Sequence, residues 1–288
     1  MLEKALLCTD LSPPAEKLSL FAEKLGSAGL KELILAHIMT KARHDEEDSK
    51  VSEEVLEKLE QQKKILEQQG LSVTVEVTIG VPAVELVKIA EKENVSVIII
   101  GSHGKGIFKK LAIGSVSSEV LQNTSRACLF IPISLTDAEE TYQLPSENLC
   151  SNILYCTDFS EASEQAFVQV KRIVQKFGCT VTMLHVQDRS LIETYYWQQI
   201  DDIADEMYDN LKKQSQELVE LGAREAHIKL TYGYPKELIV DKLKSEDFSL
   251  VIMGSQGKGF IQELFLGSVS YNVLRNSPVP VLLIPPKR

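Results

Sequence analysis

The sequence predicts an α/β protein made of two tandem doubly wound domains, each a five-stranded parallel sheet with helices on both faces. Three observations carry that prediction. The chain repeats itself; short apolar runs alternate with helical patterns inside each repeat; and a glycine-rich turn follows the fourth apolar run both times.

The repeat is colinear. LLCTDLS at Leu6–Ser12 returns as LYCTDFS at Leu154–Ser160, and ILAHI at Ile34–Ile38 returns as TMLHV at Thr182–Val186. GVPAVELV at Gly80–Val87 returns as GYPKELIV at Gly233–Val240, and the glycine-rich block Val97–Ser117 returns as the block ending at Ser270. Blocks of this kind in the same order are a duplication, and a repeat of this length holds enough apolar strand for its own core. The first domain is expected over 1–134 and the second over 151–288. The stretch 135–150, polar and holding Pro145, reads as the linker.

The elements follow in order. Ala5–Cys8, Leu33–Ile38, Val73–Ile79, Val95–Ile100 and Ala127–Ile133 are apolar runs, several rich in β-branched residues, and read as strands. Pro13–Leu25 sets Leu18, Phe21, Ala22 and Leu25 at helical spacing, with Ser12 placed to cap it. Ser49–Gln69 carries Val51, Val55, Leu59 and Leu66 and stops at Gly70. Pro82–Glu93 opens on proline and aligns Ala83, Leu86, Val87 and Ala90. Strands alternating with helices demand a parallel sheet covered on both faces, whose ligands sit at the carboxyl ends of the strands where their order switches.

Composition narrows the function classes. With 44% hydrophobic and 25% charged residues, the 288-residue chain is ordinary globular protein. Its net charge of −10 opposes non-specific nucleic-acid binding, which needs a positive field. No apolar run approaches the ~20 residues that span a bilayer, and the N-terminus has no signal-peptide pattern, so a cytoplasmic protein is expected. Five cysteines without a CxxC pair predict reduced thiols, with no disulfide scaffold and no zinc site.

The chemistry concentrates after the fourth strand. Ile100-Gly101-Ser102-His103-Gly104 is followed, nine residues on, by Gly114-Ser115-Val116; Met253-Gly254-Ser255-Gln256-Gly257 is followed at the same spacing by Gly267-Ser268-Val269. Glycine lets the chain turn sharply and a ligand approach the backbone. The second glycine of each set sits where a helix should begin. Open amides and the helix dipole there favour an anion, and the serine hydroxyl adds a donor. A turn-forming role alone is the competing reading, and the double occurrence favours a phosphate cradle. Neither a Walker loop nor GxGxxG fits the spacing.

This G-x2-G-x9-G-[ST] pattern resembles the universal stress protein family, together with Thr-Asp-x-Ser after the first strand and a His-hydrophobic pair ending the second. The resemblance covers both repeats and implies the adenine nucleotide alpha hydrolase-like fold, with ATP as ligand and Mg²⁺ alongside it. It puts both halves in the branch of the family that keeps the loop. By resemblance, Asp10 and Asp158 lie at the adenine–ribose end, and Ile38 and Val186 offer backbone groups to the adenine edge. Gly101, Gly104, Gly114 and Ser115, with Gly254, Gly257, Gly267 and Ser268, take ribose and phosphates; Ile100, Val116, Met253 and Val269 flank them. A helix cap is the competing role for the two aspartates. In relatives the last strand pairs across a dimer, so the two repeats are expected to dock through it about a pseudo-twofold axis. A homodimer stays open, and no protein partner is identified.

The remaining candidates carry less. His37 and His185 read as structural histidines, since no partner carboxylate is identifiable. His103 faces Gln256 in the other repeat, which excludes a shared base. Cys8 and Cys156 read as packing residues. Lys105, Lys109 and Lys110 against Lys258 alone mark an asymmetry, as do Tyr195, Tyr196, Trp197, Tyr232 and Tyr234 in the second repeat. Asp45–Glu60 reads as an acidic surface helix. No catalytic base or arginine is repeated in the loops, and the SGGxDS-type loop of pyrophosphatase relatives is absent. A nucleotide-dependent stress or regulatory module with at most weak hydrolysis is therefore expected, with a slow ATPase, a nucleotidyl-transfer enzyme or a ligand-free scaffold as alternatives.

Overall fold

The structure is a computed structural model and describes residues 3–27, 29–40, 51–102, 113–136, 141–143, 149–192, 200–258 and 266–287. The chain divides into two compact units, Met1–Glu147 and Asn148–Arg288.

In the first unit the order is β1 (Lys4–Cys8), α1 (Pro13–Ser27), β2 (Glu32–Met39), α2 (Glu53–Gln68), β3 (Ser72–Ile79), α3 (Pro82–Lys92), β4 (Val97–Gly101), α4 (Ser115–Asn123) and β5 (Ala127–Ile131). Its strands lie side by side as β3-β2-β1-β4-β5, every neighbouring pair parallel. The sheet interior is dry: Ala5, Leu6, Val97, Ile98 and Ile99 have no exposed surface. That is why these strands read as continuous apolar runs rather than alternating ones. Burying each such Leu or Ile contributes roughly 1.5–3 kcal/mol. Helices cover both faces, with α1 against α2 and α3 against α4.

Two boundaries differ from the expected ones. The second helix begins at Glu53, capped by Ser52, whose hydroxyl accepts the Val55 amide at 3.3 Å. Two acidic residues, Glu53 and Glu54, occupy its first turn, where they complement the helix dipole. Past β5 the expected linker contains an antiparallel hairpin of β6 (Ser134–Thr136) and β7 (Thr141–Gln143).

The second unit repeats the plan with β8 (Asn152–Cys156), α5 (Glu161–Phe177), β9 (Thr180–Asp188), a short turn α6 (Arg189–Leu191), α7 (Ile200–Glu220), β10 (Glu225–Gly233), α8 (Pro235–Ser245), β11 (Leu250–Gly254), α9 (Ser268–Asn276) and β12 (Val281–Ile284). Its strands run β10-β9-β8-β11-β12, again all parallel. The α5 helix ends on Gly178 at φ 59°, a left-handed cap that glycine adopts at no steric cost. In both units the strand order reverses between the first and fourth strands. The crevice at their carboxyl ends is the topological switch point of a doubly wound sheet.

Candidate nucleotide site

One side of each crevice is the Thr-Asp-x-Ser turn. The Thr9 amide extends the ladder to the Ala36 carbonyl (3.0 Å) and the Thr157 amide to that of Leu184 (3.0 Å). Each threonine hydroxyl then accepts the amide two residues on, from Leu11 at 3.2 Å and from Phe159 at 3.0 Å. Each aspartate Oδ1 accepts the next, from Ser12 at 3.0 Å and from Ser160 at 3.1 Å. These bonds hold Leu11 (φ 60°) and Phe159 (φ 57°) in the left-handed region, a conformation costing a non-glycine residue about 1–2 kcal/mol. The competing cap role fails for Asp158: the N-cap of α5 is Ser160, whose hydroxyl accepts the Ser163 amide at 3.3 Å. In the first repeat Ser12 stands directly before α1, its carbonyl accepting the Glu16 amide at 3.0 Å and its hydroxyl donating to Asp10. Pro13 and Pro14 supply no amides at that helix start.

The two histidines brace these turns. Nδ1 of His37 lies 2.9 Å from the Thr9 carbonyl, and Nδ1 of His185 lies 2.8 Å from that of Thr157. A carbonyl only accepts, so Nδ1 carries the proton in both rings. The His185 ring packs 5.0 Å from Phe159. Burial holds its pKa below the ordinary histidine value, and the nearby Lys258 charge works in the same direction; the Thr157 bond and Asp158 oppose them.

The other side is the glycine turn. The Ser102 amide donates to the Ile131 carbonyl and the Ser255 amide to that of Ile284, at 3.0 and 2.8 Å. Gly114 and Gly267 then donate back to the carbonyls of Ser102 and Ser255, at 3.2 and 2.7 Å. Ser117 and Ser270 tie the start of the last helix to the strand end, bonding the carbonyls of Gly101 and Gly254 at 3.0 and 2.9 Å. Gly114 and Gly267 are the N-caps of α4 and α9, and no side-chain hydrogen bond caps either helix. The first-turn amides at Ser115–Val116 and Ser268–Val269 therefore stay available at the positive end of the dipole, with Ser115 and Ser268 exposed beside them. Ile100 and Met253 are buried, so only their backbone can face a ligand. Ile38 is half-buried and Val186 buried at the end of the second strand of each sheet.

The glycines serve different needs. A Cβ on Gly254 would sit 2.8 Å from Ala162 Cβ and from the Ser163 amide, so glycine there admits the first turn of α5. At Gly257 a Cβ would meet Asp158 Oδ2 at 2.5 Å, and at Gly267 the Ser255 carbonyl at 3.3 Å, whereas at Gly114 nothing among the described residues is closer than 3.7 Å. Gly104, His103, Lys105, Lys109, Lys110 and the Tyr195–Trp197 group lie outside the described residues.

Several features escaped the sequence reading. Tyr155 replaces Leu7 and buries its ring against Phe167, with its hydroxyl donating to the Ser163 carbonyl at 2.9 Å. Gln62 on α2 and Gln214 on α7 are buried; Gln214 donates to Glu164 on α5 at 3.2 Å, and burial raises the Glu164 pKa. The Ser-Val-Ser string following Gly114 and Gly267 was the available signal for the serine ties. All five cysteines are free. Burial pushes Cys128, Cys150 and Cys156 up to about 12 and Cys179 to about 11, and Cys8 is also raised, which leaves unreactive thiols. Among the described residues no group of three or more His, Cys, Asp or Glu side chains could hold a metal ion, and no helix is long and apolar enough to cross a membrane.

Two doubly wound domains, each pairing a Thr-Asp-x-Ser turn with a glycine-capped helix start at the switch point, define a tandem α/β protein of one duplicated design. The profile of the universal stress protein family matches residues 1–132 and 150–285, and the chain belongs to that family. Universal stress protein MJ0577 of Methanocaldococcus jannaschii is 36% identical over 116 residues, covering 40% of this chain and 68% of that protein. MJ0531 of the same organism is 29% identical over 142 residues, covering 48% and 84%. The crystal structure of a universal stress protein from Archaeoglobus fulgidus covers 98% of this chain and 96% of its own, with a TM-score of 0.69 at 24% identity, a likeness of fold.

Proposed function

We propose that the chain binds ATP in one or both repeats and works as a nucleotide-dependent stress or regulatory module. The observation that carries this reading is the uncapped start of α4 and of α9, each on a glycine at the switch point and each tied to the strand end by a serine. Free amides at a helix start bind phosphate oxygens without any cationic side chain. The carboxylate of Asp10 belongs to the neighbouring turn, where a sugar or base contact avoids phosphate repulsion, and that of Asp158 takes the same place with both oxygens bonded to backbone amides. Mg²⁺ would be held by phosphate oxygens and water, as is usual for this ion. Ligand binding would stabilise the fold by an amount that grows with the logarithm of its concentration over its dissociation constant, which gives a bound state something to signal with.

Denaturing the purified protein and identifying released nucleotide tests the reading. Close to two ATP per chain is the expected yield. No nucleotide, together with no calorimetric ATP binding, would sink it and leave the scaffold alternative. Incubating the same preparation with ATP separates a binding module, which releases almost no ADP, from a slow ATPase with multiple turnovers.

A further inference from the structure

The second glycine turn is fastened to the neighbouring turn by the side chain expected at the ligand. Asp158 has both carboxylate oxygens engaged by backbone amides: Oδ1 by Ser160 at 3.1 Å within its own turn, and Oδ2 by Lys258 at 2.9 Å, 100 residues away in sequence. Gly257, one residue before Lys258, is what lets the carboxylate in, because a Cβ there would lie 2.5 Å from Oδ2. Ser160 adds a bond from its hydroxyl to the Gln256 carbonyl at 3.3 Å, and Lys258 Nζ stands 5.8 Å from the centre of the Phe159 ring. Every residue of Gln256–Lys258 thus meets the Asp158–Ser160 turn.

A bond from an amide to an ionised carboxylate is stronger than a neutral one. A glycine-rich turn loses much chain entropy when it is ordered, so whatever orders it in advance lowers the cost of binding. We propose that Asp158 is the positioning residue of the second glycine turn: its carboxylate clasps the Lys258 amide and shapes the turn before nucleotide arrives. Its share in affinity then comes through the loop backbone, and Gly257 serves the carboxylate rather than the phosphates. The consequence for affinity rests on the nucleotide reading above; the clasp itself does not.

The test uses the full chain with lysine labelled by ¹⁵N, first without nucleotide. Asp158→Ala and Gly257→Ala should each speed exchange of the Lys258 amide by about tenfold or more, as expected on losing a bond to a charged group. Asp158→Asn, which keeps one acceptor oxygen, should recover part of the protection, and it serves if the alanine variant fails to fold. ATP affinity is then compared among Asp158→Ala, Gly257→Ala and the double variant. One shared clasp predicts that the double variant loses no more than the worse single variant, whereas two independent ligand contacts predict multiplied losses. Unchanged Lys258 exchange, or multiplied losses, would overturn the proposal. If the wild-type protein binds no ATP, the nucleotide reading fails and the exchange result decides the clasp by itself.

Discussion

Superimposed by sequence, the two repeats share a backbone frame and differ in what props it up. Threonine, aspartate and histidine make the same turn bonds in both, to within 0.2 Å at Thr9/Thr157 (3.2 against 3.0 Å), and the serine ties differ by 0.1 Å (3.0 against 2.9 Å). The supports diverge. Among the described residues Ser12 donates its hydroxyl to Asp10, and Ser160 accepts the Ser163 amide and donates to Gln256. Leu7 is apolar core, whereas Tyr155 at the same place ties β8 to α5. The Ser102 carbonyl would lie 3.9 Å from a Cβ on Gly114, the Ser255 carbonyl 3.3 Å from one on Gly267. Duplication preserved the bonds that fix the backbone and released the side chains behind them, so two sites of one design need not respond alike to the same change.

The largest expected effect is at Gly254. An alanine there meets backbone and Cβ atoms of α5 that cannot swing aside, and Gly254→Ala should destabilise the second repeat by about 3 kcal/mol, the upper part of the overpacking range. Thermal melting reads this directly; an unchanged midpoint would refute the close approach. Tyr155→Phe comes next, at about 1 kcal/mol, because it removes a buried hydrogen bond that ties β8 to the Ser163 carbonyl of α5. Urea unfolding measures it, and the first repeat, with Leu7, offers no equivalent loss.

A matched pair sharpens the comparison further. Gly114→Ala should change stability by less than about 0.5 kcal/mol, while Gly267→Ala forces the Ser255 carbonyl to give way and should cost about 1 kcal/mol. Equal effects would mean that the two helix starts are not packed differently. The smallest effect is pH dependence from His185. Its folded pKa lies below the unfolded value, so the neutral ring contributes stability that is fully present above about pH 6.5 and is lost as the pH falls from there through the folded pKa. Urea unfolding between pH 7.5 and 5 should show a steeper decline for wild type than for His185→Gln.

What was legible in the sequence follows from the range of the interactions involved. Parallel strands buried on both faces leave apolar runs such as Val97–Gly101 that need no partner to be read, and the duplication marks each one twice. The start of α2 was less legible because Ser49 and Ser52 both suit a cap, and only the bond to Val55 selects Ser52. The β6–β7 hairpin has three-residue strands in a polar segment, too short for periodicity to register. At the site, the glycine spacing pointed to the helix starts because Gly114 and Gly267 act through local backbone. The Asp158–Lys258 bond joins residues 100 apart, and no local pattern encodes it. The steric reason for Gly254 is likewise carried by α5, far off in sequence.

Two glycine-capped helix starts on unequal supports should give two nucleotide sites of unequal strength. Calorimetric titration of the nucleotide-free full chain with ATP and Mg²⁺ tests this most directly, repeated on Gly114→Val and on Gly267→Val. The expected result is two sites per chain with separable affinities, each variant retaining only the other site. A single affinity class unaffected by either substitution, or no heat of binding at all, would contradict it.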